Sequence, residues 1–174
     1  MEFSVITIII SVFALLVSIS TLYYSNRNNK KQILVGKYEE LFEVVIKLGS
    51  YYQVFINLSF QVDILKDPHI VGKKMTTLSQ YNEYRDLYLT ENDKNQLSIY
   101  LARLEVLRKC YTKKILGERC EEYNFIMLAF FAYTVTPASF DKELYMKSEF
   151  PDLGEFRDII EGLQKEIIKE IEAL

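Results

Sequence analysis

Tryptophan is absent from this chain, histidine occurs once and cysteine twice. These scarcities bear first on chemistry. A di-iron bundle needs Glu-x-x-His pairs on facing helices, and the lone histidine, His69, sits in the loop Asp67-Pro68-His69 with no such partner. No arginine stands just ahead of it, which excludes the helical nucleases built on an Arg–His spacing. Cys110 and Cys120 with one histidine do not make a zinc site, and two cysteines are too few for a disulfide scaffold. Neither a Gly-x4-Gly-Lys-Ser/Thr loop nor a Gly-x-Gly-x-x-Gly turn is present, so nucleotide binding of those kinds is excluded. The net charge of −3 argues against nucleic acid as the partner of the chain as a whole. No catalytic, cofactor-binding or metal-ligating residue is assigned, and the expectation is a protein that is not an enzyme. The abundance of Ile, Lys and Asn points to an AT-rich genome, bacterial or phage.

What the chain does have is an uncharged run from Phe3 to Tyr24. Its 22 residues would span roughly 33 Å as a helix, against about 30 Å for a hydrocarbon core. The expectation is a transmembrane anchor over 1–25, uncleaved because Met1-Glu2 carries no Lys or Arg. A basic segment over 26–36 follows, with Arg27, Lys30 and Lys31, and Lys37 lies just beyond. The positive-inside rule then places the N-terminus outside and the remainder in the cytoplasm, as a single-pass protein of the inner membrane in contact with its lipid. Within the run Ser4, Thr7, Ser11, Ala14, Ser18, Thr21 and Ser25 recur at alternating steps of three and four. A seam of small residues lets helices approach closely in lipid, so this stripe is the expected helix-packing surface of a homo-oligomer. Two competing readings stay open: hydroxyls bonding back to their own helix, and a seam lining a pore.

Glycine and proline number six and three, and they divide residues 37–174 into segments with helical periodicity. The spacing predicts one long helix over 37–66, bent at Gly49, although a strand over 54–65 fits the pattern too. A short helix is expected over 76–88, then one from the Thr90 cap to Leu116, stopped by Gly117. Next comes a core helix over 119–134, a short helix from Thr136 to Met146, and an amphipathic helix over 153–174. Asp152 and Glu155 form a capping box for this last helix. The fold class expected is all-α: one transmembrane helix followed by a cytosolic bundle of four principal helices plus short ones.

Two surface features could contact lipid or a cytoplasmic protein partner. One is the basic group Arg108, Lys109, Lys113 and Lys114, which could equally complement a helix dipole. The other is Tyr81, Tyr84 and Tyr88, which could equally be half-buried core. The function expected is a membrane-tethered regulatory or interaction module that self-associates through its first helix and docks a partner with its bundle. The alternative is a toxin-like or phage-defence effector that assembles through the Ser/Thr seam and perforates the membrane.

Overall fold

The computed structural model describes the backbone of residues 2–138 and 150–174, and the side chains of all these except residues 2–9. All described secondary structure is helical. We number the helices α1 (Glu2–Gly49), α2 (Tyr52–Lys66), α3 (Leu78–Tyr88), α4 (Glu91–Tyr111), α5 (Lys114–Val135) and α6 (Leu153–Glu172). The expected short helix from Thr136 to Met146 lies largely outside the described residues.

α5 is the centre of the bundle. It packs against α4, α2 and α6, while the lower half of α1 packs against α4 and α6. Its apolar run buries Ile126, Met127, Ala129, Phe130 and Tyr133. Phe130 lies over Phe55 of α2 and Phe150, with ring centroids 6.0 and 3.9 Å away, and meets Tyr52 edge-on at 5.5 Å. The amphipathic stripe of α6 turns Phe156, Leu163 and Ile167 into the same core. Its Asp152–Glu155 capping box is formed in both directions, each bond 2.9 Å. Thr90 caps α4 in the same way, with Asp93 as the reciprocal acceptor. Each reciprocal pair satisfies two backbone donors that a helix start leaves open.

Buried tyrosines do the corresponding work for carbonyls. The Tyr81 hydroxyl donates to the Thr134 carbonyl in the last turn of α5 at 2.8 Å. Tyr123 donates to the Val45 carbonyl near the end of α1, also at 2.8 Å, and Tyr38 to the Tyr111 carbonyl that ends α4 at 3.2 Å. Tyr52 donates to the Pro151 carbonyl just before α6. The last turn of a helix leaves carbonyls without intrahelical donors. Tyr81 and Tyr38 reach two such carbonyls from the core while their rings fill volume.

Several expectations are corrected. The long helix over 37–66 is two helices, since the backbone ladder breaks at Ser50–Tyr51, one to two residues past Gly49. Residues 54–65 are helical, which removes the strand option. α4 stops at Tyr111 rather than at Gly117, because Lys113 turns extended and the Thr112 hydroxyl folds back onto the Arg108 carbonyl at 2.6 Å. Gly117 sits inside α5, where an added Cβ would come within 3.0 Å of Thr112 Oγ1. Its role is to let the α4–α5 corner close.

The largest correction concerns the first 25 residues. Among the described residues no helix is long and apolar enough to cross a membrane. From Ser25 onward the helix turns to Asn, Arg and Lys. The transmembrane anchor over 1–25, the single-pass topology and the inner-membrane location are therefore withdrawn. What stands in their place is a helix that continues without interruption through the Asn-rich segment and Gly36 into the bundle.

Removing one tyrosine hydroxyl leaves a carbonyl unpaired in the core, at a cost of about 1–3 kcal/mol. Tyr81→Phe is expected to lower the urea-unfolding free energy by that order, while Tyr88→Phe, on an exposed ring, leaves it within error. Burial also pushes the Tyr52 hydroxyl and the Cys120 thiol up to about 12. Groups whose ionisation is suppressed in the fold lose protons first in the unfolded chain, so their contribution is complete at neutral pH. The measured unfolding free energy should start to fall near pH 9 and continue falling to pH 12, from the ordinary thiol and phenol ranges upward.

Candidate interaction surfaces

The sites expected from sequence separate into an outer helix, a groove and an aromatic patch. On the outer half of α1 every described residue from Ile10 to Lys30 is exposed. Phe13 and Leu22 show 70 and 71% of their surface, the exposure of a helix with nothing packed on it. The Ser18 and Thr21 hydroxyls donate to the carbonyls of Ala14 and Val17, each at 2.8 Å. Those two seam residues thus bond back to their own helix, one of the two competing readings of the stripe. Ser11, Ala14 and Ser25 lie on the same exposed length, and the side chains of Ser4 and Thr7 lie outside the described residues.

The basic residues at the foot of this half are placed individually. Arg27, Lys30 and Lys31 line a shallow pocket with Tyr23, Leu34 and Leu174, and Lys31 Nζ donates to the Leu174 carbonyl. Lys37 pairs with Glu40 at 2.8 Å. Glu40 also accepts from Arg103 of α4, and these two donors, Arg103 foremost, hold its carboxyl down to about 2.

Between α4 and α5 runs a groove of about 550 Å³. Leu101, Ala102, Phe125, Leu128 and Phe131 form its apolar walls, and a polar cluster lies along its floor. Arg108 donates to both Glu105 oxygens, at 2.9 and 2.7 Å, and to Glu121 at 3.1 Å. Lys109 approaches Glu105 at 2.9 Å, so Arg108 first and Lys109 second lower the Glu105 carboxyl to about 2. The Asn124 amide nitrogen reaches Glu105 at 3.4 Å, while its Oδ1 is enclosed without a hydrogen-bond partner. Elsewhere in the basic group, Lys113 pairs with Glu170 of α6, and Lys114 stands 4.0 Å from Glu118 on the open surface. These partners come from the protein itself.

The tyrosine triplet divides. Tyr81 is fully buried and bonded to α5, whereas Tyr84 is half-buried against the core and Tyr88 is exposed, their rings tilted with centroids 5.0 Å apart. For chemistry the geometry offers little. The His69 side chain is in an exposed loop, and its backbone N–H donates to Asp67 at 2.8 Å. Cys120 is buried with a raised thiol, the opposite of the depressed value that makes a nucleophile. Among the described residues no three His, Cys, Asp or Glu side chains gather as metal ligands do.

No known family, characterised protein or solved structure matches the chain.

Sequence reasoning missed the Glu105–Arg108–Glu121–Asn124 cluster. Only the Glu105–Arg108 spacing on one helix signalled it, since Glu121 and Asn124 belong to the next helix. Depressed carboxyls contribute stability above the ordinary glutamate range and lose it as pH falls toward 2. The unfolding free energy should therefore hold down to about pH 5 and decline below it. In the double variant Arg103→Gln, Arg108→Gln that acid decline should be visibly shallower in a pH series of urea melts.

Proposed function

We propose that this protein is a non-enzymatic assembly module whose copies associate through the outer half of α1, with the bundle as the part that engages a protein partner. The observation that carries the reading is a folded core joined to an apolar helix that none of the described residues covers. An isolated helix in water gains little from propensity alone, and contiguous apolar surface of this extent marks a contact region. Two facts support self-association. The helix is continuous with the core, so pairing there brings two bundles into fixed relation. Arg103, Arg108, Lys109 and Lys113 of the bundle are engaged by its own carboxylates, which leaves the apolar helix as the most conspicuous unmet demand. The groove between α4 and α5 supports the second half of the reading, with apolar walls beside an anchored charge cluster, a combination that suits a partner helix. No observation favours the perforating effector.

The full chain should sediment as an oligomer at micromolar concentration in buffer. Ile19→Glu with Leu22→Glu should reduce it to a monomer with unchanged far-UV circular dichroism. A wild-type chain that sediments as a monomer over the same range would remove the self-association reading.

A further inference from the structure

We infer that α1 pairs in parallel and in register with α1 of a second copy, through a seam of large apolar residues rather than through the small-residue stripe. The inference rests on the assembly reading above and specifies its surface. Along the described length of α1 a heptad frame places Val12, Ile19, Asn26 and Ile33 at the first core position. Leu15, Leu22, Asn29 and Gly36 fall at the fourth. Branched Val and Ile at the first position with Leu at the fourth is the combination that favours two parallel strands. The Ser11–Ser18–Ser25 stripe lies beside this seam, at the position just before each first-core residue.

The structure supplies three independent reasons for this frame. First, the seam is open throughout, and Ile33, next to the bundle, remains 60% exposed. The bundle covers α1 through Leu34, Tyr38, Leu41, Val44, Val45 and Leu48, a face turned about 90° round the helix from the seam at 100° per residue. Two bundles would therefore hang at the sides of the pair. Gly36 belongs to this open face, where an added Cβ would meet nothing within 4 Å.

Second, polar residues fix the direction. In parallel register the two Asn26 side chains face each other, as do the two Asn29 side chains, and each amide finds a partner. An antiparallel pair centred on Ile19 would set Asn26 against Val12 and leave the amide unpaired. A buried asparagine at a first core position specifies register in this manner. Lys30 flanks the seam opposite Ser25 of the other strand, so pairing brings no like charge against it. Below Gly36 the same core positions become Glu40 and Glu43, and Glu40 is already held by Arg103 and Lys37. The seam ends where the bundle's own contacts begin.

Third, the exposed area approaches what a stable pair needs. The five described Val, Leu and Ile side chains of the seam expose 52 to 71% of their surface. That is roughly 500 Å² per copy, or about 1,000 Å² for a pair before the flanking Leu16 and Tyr23 are added, against roughly 1,200–2,000 Å² in stable specific interfaces.

Full-length chains with Cys110→Ser, in which Cys120 stays buried and one cysteine is introduced on α1, test the seam directly. Leu22→Cys should oxidise to a disulfide-linked dimer in about tenfold higher yield than Tyr24→Cys, because only the former brings two Cβ atoms within bridging distance. Ser11→Leu with Ser18→Leu should leave the Leu22→Cys yield unchanged, and Asn26→Leu should raise the dissociation temperature of the uncrosslinked chain. Equal yields at Leu22 and Tyr24, or a yield lost on filling Ser11 and Ser18, would overturn the seam while leaving self-association standing if sedimentation still shows an oligomer. A monomer by sedimentation that floats with phosphatidylcholine vesicles would overturn both the seam and the assembly reading, and name a lipid surface as the cover of this helix.

Discussion

Hydrogen bonds from buried tyrosine hydroxyls to carbonyls at helix ends are the constraint on which the bundle depends. A short helix exposes a large share of its carbonyls at its end, and a small bundle places those ends close to apolar side chains. Tyr81 and Tyr38 resolve this by putting a donor at the far end of a ring that is itself core, and Tyr123 and Tyr52 set the same kind of donor on the Val45 and Pro151 carbonyls. Each bond also ties two elements at a fixed point: α3 to α5, α5 to α1, α1 to the end of α4, and α2 to the start of α6. Helix crossings that apolar packing alone would leave free to slide are thereby indexed to single residues.

This dependence explains the chain's composition. Tryptophan carries a donor as well, but its bulk and the position of its N–H suit fewer such places, and none occurs here. Tyrosine, at 13 residues, supplies most of the buried hydroxyls. The surface pairs contribute differently. Arg108 with Glu105 and Arg103 with Glu40 join or brace helices at the rim, where solvent screens them and each adds little. The ring-and-hydroxyl contacts lie where water does not compete.

How much of this was legible in the sequence depended on whether the cause was local. The caps at Thr90 and Asp152 need only residues three apart, and both form as read. The stripe of α6 and the apolar run of α5 follow from periodicity. The corner after Tyr111 was not legible, because no glycine or proline marks it. Thr112 bonding back to Arg108 and the packing of Leu116 into the core decide the break, and Gly117 was mistaken for its signal. The groove cluster was equally hidden, since Glu105 and Asn124 meet only once α4 and α5 lie side by side. The first 25 residues misled for a different reason. Their apolarity is real, but apolarity alone does not say what covers a helix.

The continuity of α1 has a mechanical meaning. Gly36 costs a helix about 1 kcal/mol relative to alanine, yet the helix continues through it unbroken, and the first break comes only at Ser50–Tyr51. Between those points the same helix supplies Tyr38, Leu41, Val45 and Leu48 to the core. A twist or tilt imposed on the outer half is thus delivered as a rotation of core side chains against α4 and α6, with no compliant joint between to absorb it. The rod and the bundle move as one shaft.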